Sequence, residues 1–229
     1  MAKPNSNNVS VGKPHGEDGA YAGGFWYGEI GKVTIPTDAT TALGETFVNG
    51  GYLSDDGVTN SRDRDTTEIK AFGGDTVLNA TASITETFAF GMLETTKDTM
   101  SFIYGPDNVT GDDDAFTVRH NAQDAPRLVD VFEFAMTGDR VKRIVIPQGQ
   151  VTDLDDVEYT DGDAVKYSPT ITAYPDASGN TAYEYIAKVV SGASRMAAEA
   201  GIKVYDDTSV PNLKDAAEAA KSADANTKA

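Results

Sequence analysis

The stretch TVLNATASITETFAFGM, residues 76–92, decides the fold. It contains no proline, and its one glycine is next to last. Leu78, Ala80, Ala82, Ile84, Phe88, Phe90 and Met92 share one parity, while Asn79, Thr81, Ser83, Thr85 and Thr87 share the other. Only Glu86 interrupts the apolar row. This period of two predicts a single unbroken β-strand, apolar on one side and small and polar on the other. Strands in globular proteins typically run about 5–6 residues. A strand of this length points to a structure larger than an ordinary sandwich.

Outward from it, Glu68–Phe72 reads as a partner strand, and Gly73, Gly74 and Asp75 as the tight turn of a hairpin. On the other side the period changes. ETTKDTMSFIYG, residues 94–105, begins with threonine caps and ends at Gly105-Pro106. Met100, Ile103 and Tyr104 sit at i, i+3 and i+4, which predicts one short amphipathic helix on a sheet face. A second hairpin is expected from 127–136 and 140–151, turning at Thr137-Gly138-Asp139, with further strands at 23–30, 116–120, 157–159, 164–174 and 181–186.

Residues 33–67 read as a long loop with short strand-like pieces at 46–48 and 52–54. Loops of that length usually carry contacts or function. Residues 1–20 read as a flexible N-terminal arm anchored only by Val9 and Val11, and 190–229 as a partly disordered C-terminal extension rich in Ala, Lys, Glu and Asp. The expected fold is mainly β: a sandwich or barrel domain over 21–189 with one flanking short α-helix.

The bulk properties narrow the function. The 229 residues, 39% of them hydrophobic, suffice for a sizeable core. The formal charge of -17 repels phosphate and anionic lipid, which argues against tight nucleic-acid or membrane binding and serves solubility. With no cysteine there is no disulfide, thiolate metal site or cysteine nucleophile. The N-terminus lacks an apolar signal core, and no run approaches the ~20 apolar residues of a membrane helix, so assembly in a cytoplasm is expected.

Catalytic signatures do not emerge. His15 and His120 have no second histidine at ligand spacing and read as surface residues. The acids at 112–114 and along TDLDDVEYTDGD, 152–163, lack the order of a calcium loop and read as solvated loop charge. No nucleophile elbow or phosphate-binding loop occurs. The expectation is a non-enzyme with no cofactor and no metal. The strongest signals are architectural: long hairpins, an arm, a long loop and a tail.

TALGETFVNGGYLSDDGVTNSRDRDTTEIKAFGGDTVL, FIYGPDNVTG, VKRIVIPQGQVTD and YSPTITAYPDASGNTAYEYI, in that order, resemble the major tail tube proteins of phages with long non-contractile tails. The similarity covers roughly residues 8–187 and is greatest to members from phages of Gram-positive hosts. It implies a virion protein, assembled in the host cytoplasm, that forms hexameric rings stacked into a hollow tube. Long hairpins from each subunit would join into a β-barrel around a lumen that passes viral DNA without specific binding. Implied partners are further copies of itself, a tape measure protein, a tail terminator and tail-tip proteins. No membrane partner is implied.

On this reading Asn79, Thr81, Ser83, Thr85 and Thr87 line the lumen, while Leu78, Ala80, Ile84, Phe88 and Phe90 face the protein interior. The second hairpin would be the partner in the barrel, with only one of Asp130 and Glu133 able to look into the channel. Ring stacking would use the arm (Val9, Val11) and the long loop (Phe47, Val48, Tyr52, Leu53). The competing reading is a carbohydrate- or cation-binding β-sandwich on a phage or cell surface; a hydrolase built on the acidic clusters stands further off.

Overall fold

The computed structural model describes residues 9–15 and 23–188. The C-terminal extension, 190–229, and most of the N-terminal arm lie outside the described residues. The fold is mainly β, with one α-helix among the described residues. The strands in chain order are β1 (Gly12–Pro14), β2 (Phe25–Glu29), β3 (Val48–Asn49), β4 (Leu53–Lys70), β5 (Thr76–Met92), β6 (Val109–Gly111), β7 (Phe116–Val118), β8 (Leu128–Met136), β9 (Arg140–Leu154), β10 (Pro169–Ala173) and β11 (Tyr183–Lys188); α1 is Lys97–Tyr104.

Nine strands form one antiparallel sheet in the order β3-β2-β8-β9-β10-β5-β4, with β1 added beside β2 on the edge of β8 and β11 beside β10 on the edge of β9. The strands at the two ends of that path, β3 and β4, are joined by only Gly50, Gly51 and Tyr52. The sheet therefore rolls back on itself. Phe25 of β2 meets Phe90 of β5 at 4.7 Å between ring centroids, although three strands, β8, β9 and β10, separate β2 from β5 along the hydrogen-bonded path.

Alternation explains the core. Phe25, Tyr27, Phe88, Phe90, Phe132, Ile144, Ile146 and Ile171 point into the roll. The helix closes it: Thr96 caps α1 by accepting the Thr99 N–H at 3.1 Å, and Phe102 packs against Phe25 and Tyr27. The Tyr27 hydroxyl donates to the Asp98 carbonyl at 2.9 Å and ties the helix to β2.

The opposite parity of the central strands is buried too. Trp26, Val129, Val131 and Val145 form a second cluster, covered by Val33, Leu43 and Phe47 from the segment between β2 and β3. Strands buried on both faces read as near-continuous apolar runs, which accounts for LVDVFEF in β8. Arg143, buried on that second face, pins the covering loop. It donates to Glu133 Oε1 at 2.7 Å and to the carbonyls of Asp38 at 2.9 Å and Thr41 at 2.6 Å.

Several expectations change here. The loop expected over 33–67 ends at Tyr52, and 53–70 is an 18-residue strand. Its sequence from Val58 to Phe72 has neither Gly nor Pro, and pairing with β5 outweighs its polarity. Residues 12–14 of the arm are a strand on the edge of β8. The second hairpin runs through the middle of the sheet, where β1 and β2 occupy one edge and β10 and β11 the other. It has no free edge for a barrel, and both Asp130 and Glu133 are buried rather than facing a channel. His15, expected at the surface, is half-buried, and burial lowers its pKa below the usual imidazole value.

Candidate functional site

β5 pairs with β10 only over Glu86–Ala89. From Thr85 outward its sole partner among the described residues is β4, so 61–70 and 76–85 leave the sandwich as a two-stranded ribbon. At about 3.3 Å per residue, ten residues per strand project on the order of 33 Å. The turn at the far end uses Gly73 and Gly74 at φ 119° and 100°, backbone that a side chain rarely tolerates.

Glu86, which breaks the apolar row, sits where the ribbon departs. It is buried, accepts from Asn60 at 3.2 Å and from the Thr181 hydroxyl, and lies 3.7 Å from Arg62. A carboxylate that would be costly deeper in the core is satisfied at this boundary.

Cross-strand register assigns the ribbon's two faces, because residues directly opposite share a face. Ser61, Asp63 and Asp65 lie opposite Thr87, Thr85 and Ser83. Arg62 and Arg64 lie opposite Glu86 and Ile84, on the side that continues into Phe88 and Phe90. The alternation in SRDRD, 61–65, thus sends both arginines to the core side and both aspartates to the outer side. Turn-rich surroundings make this segment read as a loop in sequence, and the period-two charge pattern in it is the signal for a strand.

A β-bulge then changes the row. Asp65 faces Ser83 but Thr66 faces Thr81, leaving Ala82 without an opposite residue. One extra residue inverts the parity of everything beyond it. The side chains agree: Ser83 donates to Asp65 at 3.2 Å on the outer face, whereas Arg64 reaches Thr81 at 3.5 Å on the core side. The five residues expected in one lumen row are therefore split. Ser83, Thr85 and Thr87 share the aspartate face; Asn79 and Thr81 lie on the other. Ala80 and Leu78 move to the outer face, opposite Thr67 and Ile69.

Of the residues expected to face the interior, Phe88 and Phe90 do so, while Leu78 and Ile84 are 52% and 42% exposed in the single protomer. Ala80 is exposed as well. The ribbon extends beyond the sandwich that would have covered them. Among the expected stacking residues, Phe47 packs on the second cluster and Val48 and Leu53 on the first, so these three already serve intrachain packing. Val9, Val11 and Tyr52 are exposed.

The acidic stretch 152–163 lies across an open groove of about 820 Å³ from Asp55 and Asp56, with Lys166 bridging to Asp56 at 2.8 Å. Among the described residues no group of three or more His, Cys, Asp or Glu side chains is placed to hold a metal ion. No described helix is long and apolar enough to cross a membrane.

A closed core carries a long ribbon whose edges are unpaired among the described residues, and unpaired edges are able to pair with further strands. The chain belongs to a family of phage tail tube proteins: the sequence profile described as "Phage tail tube protein" matches residues 22–198. It is thus a structural protein of a phage tail. Among solved structures it is similar to "Cryo-EM structure of the anti-feeding prophage cap (AFP tube terminating cap)", at 10% identity and a TM-score of 0.40, over 79% of this chain and 96% of that one. No curated protein matches the chain.

Proposed function

We propose that this chain is the major tube subunit of a long, non-contractile phage tail, of the branch that infects Gram-positive hosts. It forms hexameric rings that stack into a hollow tube, assembled in the host cytoplasm around a tape measure protein and bounded by terminator and tail-tip proteins. Viral DNA passes through the lumen. The observation that carries this reading is the ribbon: two antiparallel strands whose outer edges, among the described residues, are both unpaired beyond Glu86. A two-stranded ribbon alone is marginal in water. In a ring of identical copies, the free edge of β4 meets the free edge of β5 from the next copy, antiparallel, and closure removes every edge.

The outer face, with Ser61, Asp63, Asp65, Ser83, Thr85 and Thr87, is the lumen face on this reading. Carboxylates and hydroxyls repel or ignore phosphate, so DNA slides instead of binding. Arg62 and Arg64 are turned away from it. Asn79 and Thr81 leave the lumen row that the sequence alone suggests. The role is structural rather than catalytic.

Negative-stain electron microscopy of the purified chain across a concentration series tests the proposal. Hollow tubes or stacked rings of constant diameter are the expected result. Monomers that persist at every concentration, and also in the presence of a matching tail-tip complex, would sink it.

A further inference from the structure

The far end of the ribbon differs chemically from its base. Past the bulge at Ala82 the outer face turns from carboxylate and hydroxyl to Thr67, Ala80, Ile69 and Leu78. A second bulge leaves Val77 without an opposite residue, since Ile69 faces Leu78 and Lys70 faces Thr76. Ile69, Val77 and Leu78 are 52%, 63% and 52% exposed, and Phe72 at the turn is completely exposed. Four large apolar side chains within ten residues form a concentrated patch for a soluble surface, and such patches mark contacts. This patch sits on the order of 30 Å from the sandwich of its own chain, so nothing in that sandwich covers it.

The other end of β4 carries the counterpart. Tyr52, immediately before β4, is 57% exposed, and roughly 60 Å of strand separates it from the tip if 18 residues run at about 3.3 Å each. In a polymer of identical subunits the leading end of one copy meets the trailing end of the next. This heterologous contact joins unlike patches and propagates without closing. Phe72 and Tyr52 occupy opposite ends of one strand, so a head-to-tail repeat along that strand brings them together.

We propose that the ribbon tip, centred on Phe72 with Val77 beside it, is the axial contact of the polymer, and that it packs on the Tyr52 rim of a second copy of this chain. The proposal rests on the tube reading and adds a partner surface to it. Ring closure depends on strand edges and backbone hydrogen bonds; axial growth depends on the tip's apolar side chains. The two steps are therefore separable.

The full chain has no cysteine, which makes disulfide trapping clean. The double variant Phe72→Cys/Tyr52→Cys is assembled, oxidised and run on denaturing gels beside each single variant. A bridge requires Cα atoms within about 7 Å. The expected result is a ladder of covalent multimers from the double variant and none from either single variant. Phe72→Ser is followed in parallel by sedimentation velocity and electron microscopy. Single rings with at least tenfold less tube are expected, with tubes restored by Phe72→Leu. Wild-type tubes whose double variant gives no ladder would overturn the tip contact and leave the tube reading standing. Dimers from Phe72→Cys alone would overturn it in favour of tip meeting tip. A wild-type chain that never assembles removes the tube reading, and the tip contact with it.

Discussion

Residues 86–92 and 76–85 belong to one strand, share one alternating pattern and pair with the same neighbour, yet they live in different environments. Phe88, Phe90 and Met92 are almost fully buried, because β10 extends the sheet beside Phe88, Tyr167 bridges to Met92, and all three pack in the core that α1 closes. Ile84 and Leu78, of the same parity in sequence, are about half exposed, because β10 has ended and no other described element covers the ribbon. Alternation says that a strand has two faces. It does not say what each face meets. In this molecule the sandwich half buries its apolar side chains, and the ribbon half is the part that the proposed assembly would complete.

That contrast is measurable, and amide hydrogen exchange on the unassembled protomer should show it most strongly. Amides of β8 and β9 should exchange only through global unfolding, which for typical domains costs about 5–15 kcal/mol. Ribbon amides in 61–69 and 77–85 should exchange with little protection until the protein assembles. Equal protection of both regions in the protomer would break the comparison.

Core substitutions should come next in size. Phe132→Ala, which empties the centre of an aromatic group including Phe25, Phe88 and Phe90, should cost about 3–5 kcal/mol in denaturant unfolding. Arg143→Ala should cost a similar ~3–5 kcal/mol, because it removes the guanidinium from the buried Glu133 carboxylate and releases its hold on the loop carbonyls of Asp38 and Thr41. Arg143→Lys should recover little of it, since one ammonium cannot reproduce the guanidinium's spread of donors.

Asp130 gives a pH-dependent effect. Its carboxyl is buried among β2, β8 and β9, with no hydrogen-bond partner among the described residues, and burial pushes its pKa well above the usual carboxylate range. The folded protein then holds a proton that the unfolded chain releases near pH 3.9, the ordinary aspartate value of roughly 3.9. Stability from this group is complete below that point and is lost as pH rises through the folded-state value. Asp130→Asn removes the dependence. Unfolding curves of variant and wild type should diverge with rising pH, in the variant's favour by about 1–3 kcal/mol at neutral pH. Parallel curves would mean that the carboxyl finds a partner in solution.

The smallest effect belongs to the ribbon. Ile84→Ala should change protomer stability by less than about 0.5 kcal/mol, as expected of an exposed site. Its consequences should appear only on assembly, read as a change in the concentration at which oligomers form. A core-sized loss in the isolated protomer would show that the ribbon folds back onto its own sandwich.

Much of this architecture was legible in residue order. Period two over 76–92, the glycines at 73–74, the threonine caps and Gly105-Pro106 stop of α1, and the Thr137-Gly138-Asp139 turn are local signals, and local sterics and hydrogen bonding suffice to read them. Three things depended on tertiary structure. Polar 53–67 became strand because a 17-residue neighbour supplied the hydrogen bonds, and pairing is non-local. Asp130 and Glu133 were buried because neighbouring strands and the 33–47 loop cover both faces of β8, which its alternation alone cannot announce. The bulge at Ala82 moved Asn79 and Thr81 away from Ser83, Thr85 and Thr87, because a face is defined relative to the partner strand. Residue order specified the strands and turns; which surface each side chain meets was decided by the strands and loops packed against it.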